Sequence, residues 1–287
     1  MIAHVAEASE ASGRVLLWLE PGAVSMPQTF DASVHIAKAY AAALETVVID
    51  GPAPCAVDGI PSAHVSLLGK LTKPSLNLAA MPDARSLLAE RQRREVGTRA
   101  ADANVVISHA SAGGDAIDRL AEMCLQRGPW NIVAVSRPPS AELPAILSSI
   151  LANVSGATGV VVAGRRAAAL SADVAVVVED GERMPSMLRA AERLVKPGGR
   201  IHVMIAAETA AAYAELDHQV RLVAVALPNC VLHPGGPDFG VTGSWDEALF
   251  RLRAGFVIAR FGGTLLGDNR ALTRLLTLSP APFLLVR

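Results

Sequence analysis

Cysteine and charged residues are scarce in this chain. Cys55, Cys124 and Cys230 are the only cysteines among 287 residues, and no two of them form a C-x-x-C pair. Neither a disulfide framework nor a zinc site is predicted, and the pattern is typical of a reducing cytosol. Charged residues make up 18% of the chain against 51% hydrophobic residues, a composition that supports a large core and excludes a disordered protein.

A surplus of charge of either sign is also missing, because the formal net charge is −1. Such a balance gives no global attraction to nucleic acid or to an anionic membrane. Residues 156–178 form the most membrane-like run, but Arg165, Arg166 and Asp173 interrupt it, whereas a spanning helix needs about 20 mostly apolar residues. No secretory signal is recognisable in the first residues. We therefore expect a cytoplasmic protein that binds neither nucleic acid nor membrane.

Several catalytic and cofactor motifs are missing as well. The sequence contains no G-x-G-x-x-G dinucleotide loop, no G-x-x-x-x-G-K-[ST] phosphate loop and no G-x-S-x-G nucleophile motif. Leu194–Ile205 resembles a stretch of methyltransferases that use S-adenosylmethionine, but the glycine-rich loop that admits that cofactor is not present. The seven histidines lack metal-ligand spacing. His109 is predicted just past the third strand, at the ligand-facing end, where an ordinary loop residue is the simpler interpretation.

The clearest structural signal lies in residues 172–206. Val174–Val178 is a short apolar run typical of a strand buried on both faces, and Glu179–Gly181 breaks it with a turn. An apolar stripe at helical spacing follows, Pro197–Gly199 ends the helix, and Ile201–Ile205 begins a second strand. Strand, helix and strand in this order predict a β-α-β unit, which builds a parallel sheet.

The same unit occurs earlier in the chain. Arg14–Glu20 is predicted as a strand, Gln28–Leu44 as a helix and Thr46–Ile49 as the next strand. The turn Glu20–Gly22 corresponds to Glu179–Gly181 about 159 positions later, and a repeat of this size indicates duplicated domains. The remaining strands are predicted at Asn104–Ser108, Trp130–Val135, Gly159–Ala163, Arg221–Ala226, Gly255–Ala259 and Pro282–Val286.

These patterns predict an α/β protein of two domains, residues 1–166 and residues 167–287. Each domain is expected to be a doubly wound, five-stranded parallel sheet with the strand order 3-2-1-4-5. The closing strands, Gly159–Ala163 and Pro282–Val286, would lie at sheet edges, and exposed apolar edges favour pairing. We therefore expect the two domains to pair within the chain as a pseudo-dimer, and a homodimer of chains is compatible with the pattern.

The predicted topology also places a ligand site. In a doubly wound sheet a ligand binds beyond the carboxyl ends of the strands, where the strand order reverses, here between the first and fourth strands. This switch point would be lined by residues 20–24 and 136–140 in the first domain, and by residues 179–183 and 260–267 in the second. A carboxylate just after the first strand can serve a ligand there or cap the following helix, and both roles stay open.

Three features together resemble the universal stress proteins. They are the acidic-x-Gly turn after the first strand, the long loop after the second, and the closing phrase ALTRLLTLSPAPFLLVR (Ala271–Arg287), of which Leu147–Arg165 is a weaker copy. The chain is thus similar to a tandem universal stress protein, with two such domains fused. The resemblance implies a Rossmann-like fold, a role in stress response or signalling, and a nucleotide site in each cleft.

ATP-binding members of that family carry Gly-x2-Gly-x9-Gly-Ser/Thr after the fourth strand, where backbone N–H groups hold phosphate. The first half offers Ser136, Pro139 and Ser149-Ile150 at these positions and no glycine. Pro139 has no N–H to donate to a phosphate. Family-type ATP binding is therefore disfavoured in the first half.

The second half keeps one glycine of the motif, with Gly263, Leu266 and Leu276-Thr277 at the corresponding positions. Leu266 brings a Cβ to the place where phosphate would approach, so binding there is at best weakened. Gly262, Gly263, Thr264 and Gly267 could form a different anion nest, although a glycine-rich turn is the simpler interpretation. Together, the candidate cofactor-binding residues are Glu20, Ser136, Glu179, Asp180, Gly181, Gly262, Gly263, Thr264 and Thr277.

The expected ligand is ATP or AMP, held weakly or not at all. An alternative is a scaffold that has lost nucleotide binding and acts through protein–protein contacts. A nucleotide hydrolase or a methyltransferase-like enzyme is a third hypothesis, which the missing base–nucleophile constellation disfavours. No catalytic residue and no metal ligand is assigned. The melting temperature in the presence of ATP or AMP distinguishes the first two hypotheses, because a ligand of the native state raises it.

Overall fold

The structure, a computed structural model, describes residues 13–20, 26–50, 82–126, 130–164, 170–207, 209–227, 229–233, 249, 252–263 and 269–287. The strands are β1 (Arg14–Leu19), β2 (Ala43–Asp50), β3 (Ile107–Gly113), β4 (Asn131–Val135), β5 (Ala157–Val162), β6 (Val174–Val178), β7 (Ile201–Ile205), β8 (Cys230–Leu232), β9 (Phe256–Arg260) and β10 (Phe283–Val286). The helices are α1 (Pro27–Ala39), α2 (Pro82–Asp102), α3 (Ala116–Gln126), α4 (Leu143–Asn153), α5 (Met184–Leu194), α6 (Ala210–Ala224) and α7 (Asn269–Leu278). Within these ranges no helix combines the length and the apolar character needed to cross a membrane.

The strands form one ten-stranded sheet in the order β3-β2-β1-β4-β5-β10-β9-β6-β7-β8. The first five strands are parallel and have the predicted order 3-2-1-4-5, and the last five repeat it from the opposite edge. The prediction of two sheets needs correction. β10 pairs with β5 in antiparallel fashion, with Leu284 opposite Val161, so the two apolar edges meet and make the sheet continuous.

Both faces of the sheet are covered, which explains why its inner strands consist mostly of apolar residues. In β1 the side chains of Val15, Leu17 and Leu19 belong to one hydrophobic cluster, whereas Leu16 and Trp18 belong to the other. This alternation follows from the period of two residues along a strand. Burial of each aliphatic side chain contributes about 1.5–3 kcal/mol of transfer free energy. This gain favours apolar residues at consecutive strand positions, because both faces of the strand are buried.

Equivalent helices meet across the β5–β10 seam on each face of the sheet. On one face α1 contacts α5, and on the other α4 contacts α7. His35 in α1 places Nε2 2.8 Å from the carbonyl oxygen of Leu194, and its ring stacks on Phe256 at 5.5 Å between centroids. The guanidinium of Arg193 lies 5.0 Å from the ring centre of Tyr40. Because the first and the fourth helices of the two halves face each other, the arrangement has pseudo-twofold symmetry.

The third strand of the second half lies later than predicted. Residues 221–226 were expected to form a strand, but they continue and end α6, and the strand is Cys230–Leu232. α6 begins after Thr209, whose hydroxyl accepts a backbone hydrogen bond from the first turn. Leu216 and Val220, four residues apart, are both buried. The helical repeat therefore outweighs the apolar run that suggested a strand.

The first helix is shorter than predicted. The expected range was Gln28–Leu44, whereas α1 ends at Ala39 and β2 already begins at Ala43. Ala41 between them has φ of +49°, a left-handed conformation that breaks the helix. Only a short connection therefore separates α1 from the strand beside β1.

The third strand of the first half is displaced from the predicted Asn104–Ser108 to Ile107–Gly113. As a result His109 lies within the strand, opposite Thr46 of β2, rather than past its end. Its Nδ1 atom is 2.6 Å from the Thr46 hydroxyl. His109 therefore belongs to the sheet and not to the ligand-facing edge.

Candidate functional site

The switch point of the first half lies between β1 and β4, which pair in parallel. Ser136, directly after β4, is buried, and its backbone N–H donates to the Trp18 carbonyl at 3.2 Å. Its hydroxyl accepts a hydrogen bond from the backbone N–H of Met26, which immediately precedes α1, at 3.4 Å. Ser136 thereby ties the end of β4 to the start of α1, and this contact gives it a structural role in the cleft.

An ion pair crosses this switch point. Glu20, the residue after β1, accepts from Arg137, with Oε2 2.8 Å from Nε and Oε1 3.0 Å from Nη2. Both side chains are about one-quarter to one-third exposed, at 31% and 25%. Two contacts between a planar guanidinium and a carboxylate fix the mutual orientation of the two groups. The carboxylate that was expected to face a nucleotide is thus engaged by an arginine of the chain.

The second half carries a corresponding pair. Asp180, which follows β6, places Oδ2 2.6 Å from Nη1 of Arg260 at the end of β9. Its other oxygen, Oδ1, accepts from the backbone N–H of Arg183 at 2.8 Å. One oxygen of this carboxylate therefore closes the turn before α5, and the other holds an arginine across the switch point; a ligand role for Asp180 stays a prediction.

Two further candidates, Glu179 and Gly263, lie against each other. A Cβ built on Gly263 would overlap the Glu179 carboxylate, so the space beside this glycine is filled by a side chain of the protein. Gly262 has φ of +73°, a conformation that L residues rarely adopt, with open space around it. The glycines after β9 are thus explained by a turn and by the Glu179 side chain.

The remaining candidates do not converge on the switch point. Gly181 approaches the side-chain amide of Gln219 from α6. Thr277 lies in the last turn of α7, and its hydroxyl donates to the Thr273 carbonyl at 2.7 Å. A hydroxyl in this position is far along the helix from the N–H groups that hold phosphate at a helix start. Thr264 lies outside the described residues.

The sequence analysis missed both arginines. Arg137 and Arg260 each follow or end the fourth strand of their half, at the same edge as the acidic turn. The carboxyl ends of neighbouring parallel strands meet, so an arginine at one end and a carboxylate at the other are placed to pair. Neither arginine belongs to the glycine motif or to a periodic pattern, so their position beside the acidic turn is the signal in the sequence that could have predicted these pairs.

The described residues include no activated thiol and no cluster of metal ligands. Burial raises the pKa of the Cys124 thiol to about 11, and burial also raises the pKa of Cys230, so neither thiol is activated. Among the described residues, no group of three or more His, Cys, Asp or Glu could hold a metal ion. The switch points therefore offer charge and shape, and neither described thiol is activated as a nucleophile there.

Comparison with known proteins gives a fold relationship. No family model and no curated protein matches the chain. Among solved structures, a universal stress protein from Archaeoglobus fulgidus DSM 4304 has a TM-score of 0.62 at 13% identity, covering 95% of this chain and 96% of its own. A putative universal stress protein from Pseudomonas aeruginosa UCBPP-PA14 has a TM-score of 0.52 at 15% identity, and the match covers 97% of this chain and 94% of that one.

A third similar structure is the cytoplasmic domain of a prokaryotic cation chloride cotransporter. Its TM-score is 0.53 at 12% identity, with coverage of 96% of this chain and 95% of that one. At these identities the similarity concerns the fold. The chain thus has the α/β fold of universal stress proteins over almost its whole length.

Proposed function

We propose that this protein is a tandem, universal-stress-protein-like module of stress response or signalling whose clefts bind ATP and AMP weakly or not at all. The similar folds support the first part of this proposal. One observation carries the second part: in both halves an acidic side chain after the first strand pairs with an arginine at the fourth strand. Residues 1–166 and 167–287 are the two domains of the module.

The ion pairs oppose nucleotide binding in two ways. A guanidinium held across the switch point occupies the crevice in which a ligand of this fold would lie. The carboxylate beside it repels phosphate and is not free to accept a ribose hydroxyl. A nucleotide would have to displace a partly buried, charge-assisted contact, and such contacts contribute about 1.5–3 kcal/mol. That penalty applies before any new contact with the ligand forms.

The geometry of the phosphate motif adds to this penalty. Pro139 offers no N–H, the space beside Gly263 is filled by Glu179, and the hydroxyl of Thr277 is bonded within α7. At these three positions, the contact that would retain a triphosphate is therefore missing or already used. The surface that remains for signalling is the outside of the sheet and its helices, which would act through another protein.

The proposal is tested by the melting temperature of the full chain in ATP or AMP. We expect at most a small rise at about 5 mM nucleotide, because a ligand present at its Kd adds only about 0.4 kcal/mol of stability, whereas one at 100 times its Kd adds about 2.7 kcal/mol. The Glu20→Gln variant removes the charge of the first pair and is measured in parallel. A saturable rise of the wild-type melting temperature at micromolar nucleotide would contradict the proposal. No response from either protein supports the scaffold form of the module.

A further inference from the structure

A small cavity lies where the two halves of the molecule meet. Its volume is about 260 Å³, and its wall comes from α4 of the first half and from the strand ends of the second. Pockets for drug-sized ligands measure roughly 300–1,000 Å³, so this cavity suits a smaller ligand. The residues that line it are Ser148, Leu151, Ala152, Arg183, Arg260, Phe261 and Arg287.

Three arginines are among the residues that line this cavity, Arg183, Arg260 and Arg287. Arg260 is paired with Asp180. Within the described part of the chain, neither Arg183 nor Arg287 forms an ion pair with a carboxylate. Like charges around a small volume repel one another, and an anion placed between them removes that repulsion.

Arg287 is held in place by backbone groups. Its Nη1 donates to the Ser155 carbonyl at 3.0 Å, and its Nη2 donates to the Leu151 carbonyl at the end of α4. Its own backbone N–H donates to the Thr158 carbonyl at 3.2 Å. These contacts orient the guanidinium without neutralising it, so its position is fixed before any ligand arrives. Such preorganisation reduces the entropy that binding would otherwise lose.

The other wall residues determine what kind of anion fits. Leu151, Ala152 and Phe261 are apolar and offer no partner for the polar edge of a base or a sugar. The Ser148 hydroxyl donates to the Pro144 carbonyl at 2.9 Å, which leaves its oxygen to accept a proton from a ligand. Planar guanidinium groups match the oxygens of phosphate in a bidentate manner.

We propose that this arginine cavity binds a phosphate-sized oxyanion at the junction of the two halves. The site shares Arg183 and Arg260 with the rim of the second switch point, and it adds α4 of the first half and Arg287 beyond β10. The inference does not depend on the proposed function, since a small anion can bind whether or not the clefts accept a nucleotide.

Asp180 would modulate the affinity of this cavity. Its carboxylate neutralises Arg260, one of the three cations, and lies close enough to repel an anion. The Asp180→Asn variant keeps an oxygen acceptor for the backbone N–H of Arg183 and removes the negative charge. We therefore expect this variant to bind phosphate more tightly than the wild-type protein.

Calorimetric titration of the full chain with inorganic phosphate tests the proposal, with sodium acetate and sodium chloride at matched ionic strength as comparisons. We expect saturable binding of phosphate and not of chloride, with acetate binding more weakly because it carries a single charge. The double variant Arg183→Gln, Arg287→Gln should lower the affinity roughly tenfold or more, as expected for the loss of charge-assisted contacts. Arg221→Gln, at an exposed position of α6, is the matched control and should bind phosphate like the wild type.

The outcomes separate this site from the clefts. Equal phosphate affinity in the wild type and the double variant, or no saturable binding in either, would overturn the arginine cavity. Circular dichroism of the double variant verifies that it is folded, and the Asp180→Asn variant gives an independent measurement in the opposite direction. A nucleotide response that persists in the double variant would contradict the proposed function and leave the phosphate result unchanged.

Discussion

The two halves of the sheet place a charged pair at the same location but with the polarity reversed. At the amino end of the central strand, Arg14 of β1 pairs with Glu45 of β2. In the second half, Asp173 precedes β6 and lies 3.4 Å from His202 of β7, between Oδ2 and Nε2. The strand registers make these positions equivalent. Glu45 lies two residues beyond Ala43, which is opposite Arg14. Asp173 lies one residue before Val174, and His202 lies one residue beyond Ile201, which is opposite Val174. The fold thus requires two complementary polar groups here, and either strand can carry the cation.

The surroundings of the two pairs differ. The side chains of Arg14 and Glu45 are 7% and 12% exposed, and Arg14 also donates to the Asn131 side chain at 3.0 Å. The corresponding values are 10% for His202 and 32% for Asp173, whose other oxygen accepts from the Arg200 backbone N–H at 2.8 Å. The first pair is a buried network of permanent charges. The second is partly solvated, and it is an ion pair only when the imidazole carries a proton.

The largest difference between the halves should appear when one partner of each pair loses its charge. Glu45→Gln removes the carboxylate that Arg14 contacts at a buried position, and we expect a loss of about 3 kcal/mol in the free energy of unfolding. Asp173→Asn keeps an acceptor for the Arg200 N–H and should lose at most about 1 kcal/mol, because a third of the side chain is exposed. Urea denaturation of both variants measures the difference. Equal losses would show that burial does not distinguish the pairs.

The closing strands provide a second comparison. Val135 of β4 is opposite Val162 of β5, and Ala259 of β9 is opposite Leu285 of β10. The residue two positions further on is Gly164 in the first half and Arg287 in the second. Gly164 packs against the end of α7, where a Cβ would lie 2.6 Å from the Ser279 carbonyl oxygen and also overlap the Leu276 carbonyl. The equivalent position after the closing strand is therefore a glycine without a side chain in the first half, and the arginine that lines the cavity in the second.

Substitution of these two residues should have unequal effects. Gly164→Ala forces the backbone of β5 away from α7, and overpacking of this kind destabilises by about 2 kcal/mol. Arg287→Gly removes hydrogen bonds to carbonyls that water can reach, and should cost about 1 kcal/mol. Thermal unfolding of both variants gives the comparison. A neutral Gly164→Ala would mean that the chain relaxes at this position and that the glycine is not needed for packing.

Much of the fold follows from local patterns in the sequence. Val174–Val178 is apolar on both faces because helices cover both faces of the sheet, and the helical stripe from Met184 to Leu194 is buried as its spacing predicts. The repeat of the acidic turns indicated two similar halves, and the strand order 3-2-1-4-5 holds in each. These features are predictable because β1, β4, β6 and β7 are buried along their whole length, and burial favours apolar residues there.

The remaining features depend on contacts between distant segments. Residues 221–226 have an apolar run that fits a strand or a helix, and only the cap at Thr209 and the packing of α6 decide between them. The pairing of Glu20 with Arg137, and of Asp180 with Arg260, joins residues that are far apart in the chain and have no periodic pattern. The merging of two sheets at β5 and β10 likewise depends on the meeting of edges. Propensity carries no information about such pairings.

The smallest expected effect concerns pH and sharpens the contrast between the two charged pairs. His202 Nδ1 lies 2.8 Å from His233 Nε2, and no histidine occupies the equivalent place beside Glu45. Burial, and secondarily the charge of His202, lower the pKa of His233 below its ordinary value of 6.5. The unfolded chain then binds this proton more readily than the folded protein, so the stabilising contribution is present above about pH 7 and is lost as the pH falls through the range in which histidine titrates.

We therefore expect the melting temperature of the wild-type protein to fall between about pH 8 and about pH 5.5, and the fall to be smaller in His233→Gln. His35, whose pKa burial also lowers, accounts for part of the dependence that remains. Glu45→Gln is the matched control from the first half. It leaves every histidine in place, so it should shift the whole curve downward without changing the part of the slope that comes from histidine titration. Identical slopes in the wild type and His233→Gln would show that the paired imidazoles do not couple protonation to folding, and the reversed pair would then differ from the first one in burial alone.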